Sequence, residues 1–340
     1  MKNLTSVLIG TLITFAPAYS LENAVLFSGN ANCPLAKKIA EQLNMPLGLA
    51  DISKFNDGEI NIHIKESIRG KHVFLIQSTC PSEKQSINDN LMELLLLIRT
   101  CKRASAGKIT AVIPYYGYAR QDRKSHPRVP ISAADIASLI EFAGADNVLT
   151  VDLHCGQIQG FFLNTPVDNL YAASMFIPYI ATKELDNVVI VSPDAGGVER
   201  ASKFLQKLGK YNIPAEMAII SKQRAAAGVI GTMNLIGDVS GSDAIIIDDM
   251  CDTAGTLIKA AQLLKDRGAK RVFAIITHPV FSSNAMEKVR NSVIDELIVA
   301  DTIPPKGEVP SNITYISVSP LIAEAIKRIH NSDSVSEIFQ

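Results

Sequence analysis

The chain predicts an α/β protein with mostly parallel sheets flanked by helices, arranged in two similar halves. Three observations carry this. From Ala24 onward, short β-branched apolar runs alternate with helical patterns, the rhythm of parallel α/β architecture. The 340 residues, 47% of them hydrophobic, are enough for two ordinary cores. Charged and glycine-bearing segments follow the strand runs, where open α/β sheets place their ligands. Strands are expected at Val73–Ser78, Lys108–Pro114 and Asn147–Leu153, then at Val188–Ser192, Met217–Ser221, Ala244–Asp248, Arg271–Thr277 and Leu297–Ala300. Helices fill the gaps. The helix expected at Asn88–Lys102 is apolar at nearly every position through LMELLLLI, so it should be buried on several sides. A changeover near Asp168–Ala173 separates the strand sets, and identity between the halves is too weak to call a repeat.

Composition narrows the class to a soluble globular protein. A net charge of -1 and a pI near 6.6 leave no global basic field, so nucleic acid is not an expected partner and phosphate recognition must be local. Five cysteines (Cys33, Cys80, Cys101, Cys155 and Cys251), widely spaced and without a CxxC pair, argue against a zinc site and a disulfide framework and fit a reducing, cytoplasmic compartment. Residues 1–20 speak otherwise. Lys2, an apolar stretch from Leu4 to Phe15 and the small residues Ala16, Ala18 and Ser20 follow secretory-signal grammar, in a run too short to span a membrane. The next methionine, Met45, lies beyond the first expected strand and helix, so an internal AUG start would delete structure. An organellar leader, a non-AUG start near Leu21 and an appended segment stay open, and residues 1–20 are set apart from the fold.

The run IIIDDMCDTAGT, Ile245–Thr256, is an apolar strand stopping at two adjacent carboxylates. A helical run follows, and helix N-terminal N–H groups suit an anion. Asp248 and Asp249 suit adjacent sugar hydroxyls or a divalent cation, and Gly255 lets backbone approach a phosphate. An acidic strand-end turn explains one Asp and one Gly. It does not explain the ordered set Asp248, Asp249, Asp252, Thr253, Ala254, Gly255 and Thr256. The stretch resembles the 5-phosphoribosyl 1-diphosphate loop shared by type I phosphoribosyltransferases and ribose-phosphate pyrophosphokinases, which leaves two enzyme classes open.

Other strand ends carry further candidates. IPYYGYARQDRK delivers Arg120, Gln121, Asp122, Arg123 and Lys124 onto a loop, where Arg offers a bidentate fork for polyphosphate and Gln121 an amide for a base or ribose. A solvated charge run reads equally well. TVDLHCGQIQGFF puts Asp152 and His154 on one face of a strand end, although a lone histidine there is more often merely hydrogen-bonded. FNDGE holds Phe55, Asp57 and Glu59 around a turn glycine, able to stack and hydrogen-bond a purine or to be simply a turn. VSPDAGG ends a strand with Asp194 before two glycines, a good place for a sugar phosphate. ISKQRAAAG places Lys222 and Arg224 before a stretch poor in anchoring side chains, read as a mobile cationic lid able to neutralise phosphoryl charge, or as an exposed basic loop.

The order of these stations decides more than any one of them. FNDGE, NDNLMELLLLI, YARQDRK, DLHCGQIQGFF, PVDNLY, VSPDAGG, KQR, DDMCDTAGT and HNSDSVSEIF together closely resemble the ribose-phosphate pyrophosphokinase family over residues 22–340. The resemblance implies two tandem phosphoribosyltransferase-like domains, 21–169 binding ATP and 170–340 binding ribose 5-phosphate, with Mg2+ as cofactor. It implies transfer of the β,γ-diphosphoryl group of ATP to the 1-hydroxyl of ribose 5-phosphate. On that carry-over Phe55, Asp57, Glu59, Arg120, Gln121 and His154 contact ATP, and Asp152, His154 and Asp194 lie at the metal. Asp194, Asp248, Asp249 and Asp252–Thr256 hold the sugar phosphate, and Lys222 and Arg224 match the catalytic lid pair. A homo-oligomer, commonly a hexamer, is implied too. Leu163 where many members carry an acid, an extra residue near Asn164, Ala134 for a common lysine and Glu337 for a frequent tyrosine depart from the pattern. Regulation by phosphate or ADP is therefore not assumed. Two rivals remain: a type I phosphoribosyltransferase, which would not need FNDGE, YARQD and DLH in a separate half, and a non-catalytic regulatory subunit, which could lose Lys222, Arg224 or His154.

Overall fold

The computed structural model describes residues 21–226 and 229–339, with side chains described outside 222–232. The N-terminal half runs β1 (Ala24–Ser28), α1 (Cys33–Gln42), β2 (Ala50–Lys54), β3 (Ile60–Ile64), β4 (His72–Ile76), α2 (Ile87–Arg103), β5 (Lys108–Ile113), α3 (Ser132–Ala143), β6 (Asn147–Val151) and β7 (Val167–Leu170). The C-terminal half runs α4 (Ala173–Ala181), β8 (Val188–Ser192), α5 (Val198–Gly209), β9 (Ala215–Ala226), β10 (Val229–Ile236), β11 (Asp243–Cys251), α6 (Gly255–Asp266), β12 (Arg271–Pro279), α7 (Ala285–Arg290), β13 (Glu296–Ala300), β14 (Ile313–Ile316) and α8 (Ser319–Asn331).

Five strands pair in the order β1-β4-β5-β6-β7, all parallel. Seven pair in the order β10-β9-β8-β11-β12-β13-β14, parallel except for the edge pair β9–β10. Every residue of β4, β6 and β8 is buried, as continuous apolar runs require when helices cover both sheet faces. Alternate residues divide the layers. Phe74 and Ile76 of β4, Ile245 and Ile247 of β11, and apolar residues of α1, α4, α5 and α8 form one core joining the halves. Val73 and Leu75 face α2 and α3 in a second core, while Ala244 and Ile246 face α6 in a third.

Three expectations are modified. The helix at α2 starts with a capping box, Ser86 Oγ accepting from Asp89 N (3.2 Å) and Asp89 Oδ2 from Ser86 N (2.8 Å). Leu91, Leu94, Leu97 and Ile98 are buried, but Met92 and Leu96 are 50% and 36% exposed, so one side faces out. FNDGE is the turn of a separate hairpin, β2–β3, whose Ile52, Ile62 and Ile64 pack on the outer N-terminal core. The segment read as a lid continues β9 through Lys222 and Arg224, which pair with Met233 and Ile230 of β10. The side chains of Lys222 and Arg224, and residues 1–20, lie outside those described. Among the described residues no helix is long and apolar enough to cross a membrane.

Candidate active site

Parallel strands bring their C-terminal ends to one edge, and the chemistry collects there. β11 stays buried through Ile247, then presents Asp248 and Asp249. The chain turns at Ala254, whose φ of 61° is left-handed and costs a non-glycine residue about 1–3 kcal/mol. That turn opens α6 at Gly255, with unsatisfied N–H groups beside Asp252 and Thr253. The predicted sugar-phosphate cradle, Asp248 to Thr256, is thus one continuous strand-turn-helix.

Across from it stands the end of β6. His154 Nδ1 lies 2.7 Å from Asp249 Oδ2, a contact spanning 95 residues of sequence. Arg200 of α5 joins them, with Nη1 donating to Asp249 Oδ1 (3.3 Å), lying 3.7 Å from Asp248 Oδ1, and Nη2 donating to the His154 carbonyl (3.4 Å). The hydrogen bond to Asp249 raises the His154 pKa against the pull of burial. Burial alone would raise Asp249, but His154 and Arg200 together bring its pKa below the usual carboxylate range. Its neighbour goes the other way. Burial first, then the negative Asp249, pushes Asp248 up, so two crowded carboxylates titrate apart.

Asp152, His154, Asp194, Asp248 and Asp249 line a single cavity of about 1350 Å³ between the halves. Asp194 starts a short turn, its Oδ1 accepting from Gly197 N at 3.1 Å. Asp152 is 8% exposed, and its Oδ2 accepts from Thr277 Oγ1 (2.7 Å) and Ala172 N (3.1 Å). Arg120 is bound across the halves to Asp252 at 2.7 Å, so a predicted nucleotide cation and a predicted sugar-loop acid form one ion pair. Gln121 accepts from Ser132 Oγ. Phe55, Asp57 and Glu59 do not line the cavity: they sit exposed on the β2–β3 turn, with Phe55 55% exposed.

Sequence reading missed the basic face of α5. Arg200, Lys203 and Lys207, with Lys210 at the C-cap, all line the cavity, and their spacing of three, four and three residues puts them on one side of the helix. That periodicity, directly after PDAGG, was the available signal.

Two parallel α/β halves with a strand-end acid pair, a helix N-terminus and a basic helix face around one cavity define an enzyme class that handles phosphorylated sugars. Residues 24–144 match the family described as the N-terminal domain of ribose phosphate pyrophosphokinase, and residues 217–340 the phosphoribosyl synthetase-associated domain. The chain is 51% identical over 314 residues to ribose-phosphate pyrophosphokinase of Wolinella succinogenes, covering 92% of this chain and 98% of that protein. The Vibrio parahaemolyticus enzyme of the same name is 51% identical over 317 residues, covering 92% and 98%. The crystal structure of phosphoribosylpyrophosphate synthetase from Mycobacterium smegmatis superposes with a TM-score of 0.84 at 38% identity, covering 92% of this chain and all of that one. The chain belongs to the ribose-phosphate pyrophosphokinase family.

Proposed function

We propose that the protein transfers the β,γ-diphosphoryl group of ATP to O1 of ribose 5-phosphate. The O1–Pβ bond forms as the bond from Pβ to the α,β-bridging oxygen breaks, the hydroxyl proton is lost, and AMP and 5-phosphoribosyl 1-diphosphate leave. One observation carries this reading: His154 of one half meets the Asp248–Asp249 pair of the other in a single cavity, in a chain of this family. The acid pair and the Asp252–Thr256 turn would hold the sugar, with Asp249 on its hydroxyls and the α6 N–H groups on its 5-phosphate. Asp194 would border the same ligand, and Arg200 would keep Asp249 ionised and aimed. Phe55, Asp57, Glu59, Arg120, Gln121 and His154 would serve ATP, in a division of labour between 21–169 and 170–340. Lys222 and Arg224 would supply the cations that offset charge on the transferring group.

Mg2+ fits this donor set. Asp248 and Asp249 set two carboxylates side by side with Arg200 beside them, and Mg2+ takes one or two carboxylates with substrate phosphates rather than a full protein cage. His154 and Asp194 would hold it; when bound, it shields phosphate charge. An assembly of identical chains fits the exposed apolar Leu139, Phe142 and Leu163 on the N-terminal half (45%, 81% and 81% exposed), and six is the number that the family resemblance implies. Sedimentation velocity checks that number.

The deciding experiment measures products from ATP with and without ribose 5-phosphate and Mg2+. AMP should appear only with all three. ADP or free phosphate as the main product would refute diphosphoryl transfer, and the protein inactive alone but stimulating an active partner would mark a regulatory subunit.

A further inference from the structure

His154 meets Asp249 only if the chain leaves β6 in one direction, and the bonds that set this direction come from both halves. Asp152 takes φ 42°, a left-handed turn that aspartate tolerates better than most residues. Within its own half the turn is held by Asp152 N donating to Leu170 O (2.8 Å) and Leu153 N to Asn169 Oδ1 (3.1 Å). The other half adds two bonds from neighbouring residues of β12. Thr277 Oγ1 donates to the Asp152 carboxylate at 2.7 Å, and His278 Nε2 lies 3.0 Å from the Asp152 carbonyl. His278 is 2% exposed and is braced from behind, its Nδ1 2.9 Å from Thr302 Oγ1. The geometry of β12 is in turn that of β11, its parallel neighbour, which carries Asp249. One rigid sheet therefore holds both the target of His154 and the clamp on the turn that delivers it.

We propose that Thr277 and His278 act through Asp152 as positioning residues that aim His154 at Asp249, and that the Asp152 carboxylate serves this seam rather than a cation. One oxygen of that carboxylate, Oδ2, already accepts two hydrogen bonds from neutral donors, in a side chain almost withdrawn from solvent. Its consequence for turnover rests on the role assigned to His154 above; its geometric content does not.

The test uses the full chain with 15N-labelled histidine and the variants Thr277→Val, Thr277→Ser and Asp152→Asn. Valine keeps the branched shape and removes the hydroxyl, whereas serine keeps the hydroxyl and removes the methyl. Thr277→Val should shift the ring resonances of His154, assigned with His154→Gln, and lower turnover about tenfold, the scale of one hydrogen bond to a charged group. Thr277→Ser should restore both. The amide oxygen of Asp152→Asn can accept from Thr277 and Ala172, so its Mg2+ requirement should stay within about twofold, against roughly tenfold or more for a lost metal contact. The proposal is overturned if Thr277→Val leaves the His154 signals in place, if Thr277→Ser is as impaired as valine, or if Asp152→Asn needs tenfold more Mg2+. If the parent chain releases no AMP, the functional reading fails, while the ring resonances still decide the positioning.

Discussion

Residues Asp248–Thr256 stand at the end of a strand buried on both faces, whereas Phe55–Glu59 stand on the exposed turn of a two-stranded hairpin. In the first region, position is fixed by a seven-stranded sheet, by cross-half bonds to His154 and Arg120, and by Arg200 of the same half. In the second, few contacts fix the tip. A group that must meet charge developing during reaction needs the first kind of support, because preorganisation is what makes it effective. A group that stacks on a base can tolerate the second. Substitution in the first region should therefore reduce turnover or ribose 5-phosphate binding, and in the second only affinity for ATP.

Asp249→Asn should give the largest effect. The side chain is 3% exposed and joins His154 to Arg200, so turnover at saturating substrates should fall about 100-fold, the scale of removing one electrostatic stabiliser. A defect confined to ATP affinity would break the comparison. Thr256→Val comes next. Losing a hydroxyl donor to a phosphate costs about 1.5–3 kcal/mol, so calorimetry should show ribose 5-phosphate binding weakened roughly 10- to 100-fold with ATP binding intact. Phe55→Ala should be milder, raising the ATP dissociation constant about three- to tenfold, as loss of one aromatic stack predicts, and leaving ribose 5-phosphate untouched. If it weakens both ligands equally, the hairpin is not a nucleotide station.

The smallest effect is on stability. A histidine whose pKa is raised on folding contributes fully below its ordinary value of 6.5 and loses that contribution as pH rises through the raised value. Asp249, lowered on folding, contributes fully above 3.8 and loses it as pH falls through the lowered value. The pair therefore acts in full between those limits. Because the His154 side chain is 35% exposed, solvent screening keeps its share to about 1 kcal/mol or less. Melting of the parent and of His154→Gln should differ most near about pH 5.5 and converge in alkali. A gap that widens with pH would contradict the ion pair.

Much of this molecule follows from local pattern. The strand at Val188–Ser192 has the bounds its apolar run predicts, and β5, β6 and β11 begin within a residue of expectation, because burial on both faces writes itself as an unbroken β-branched run. The strand, turn and helix of Asp248–Thr256 were legible for a similar reason, since they are consecutive in sequence. Sequence did not show that Lys222 and Arg224 continue a paired strand, because pairing depends on what lies alongside. Nor did it show Arg200, whose meaning comes from where α5 docks. Local propensity and periodicity determined the elements and the strand-end chemistry. Only the tertiary structure decided that Arg120 spends its charge on Asp252 across 132 residues, that Asp152 turns to Thr277 across 125, and that His154 meets Asp249 across 95. Those partners are chosen by how two sheets pack, and packing is a property of many residues at once rather than of any local run.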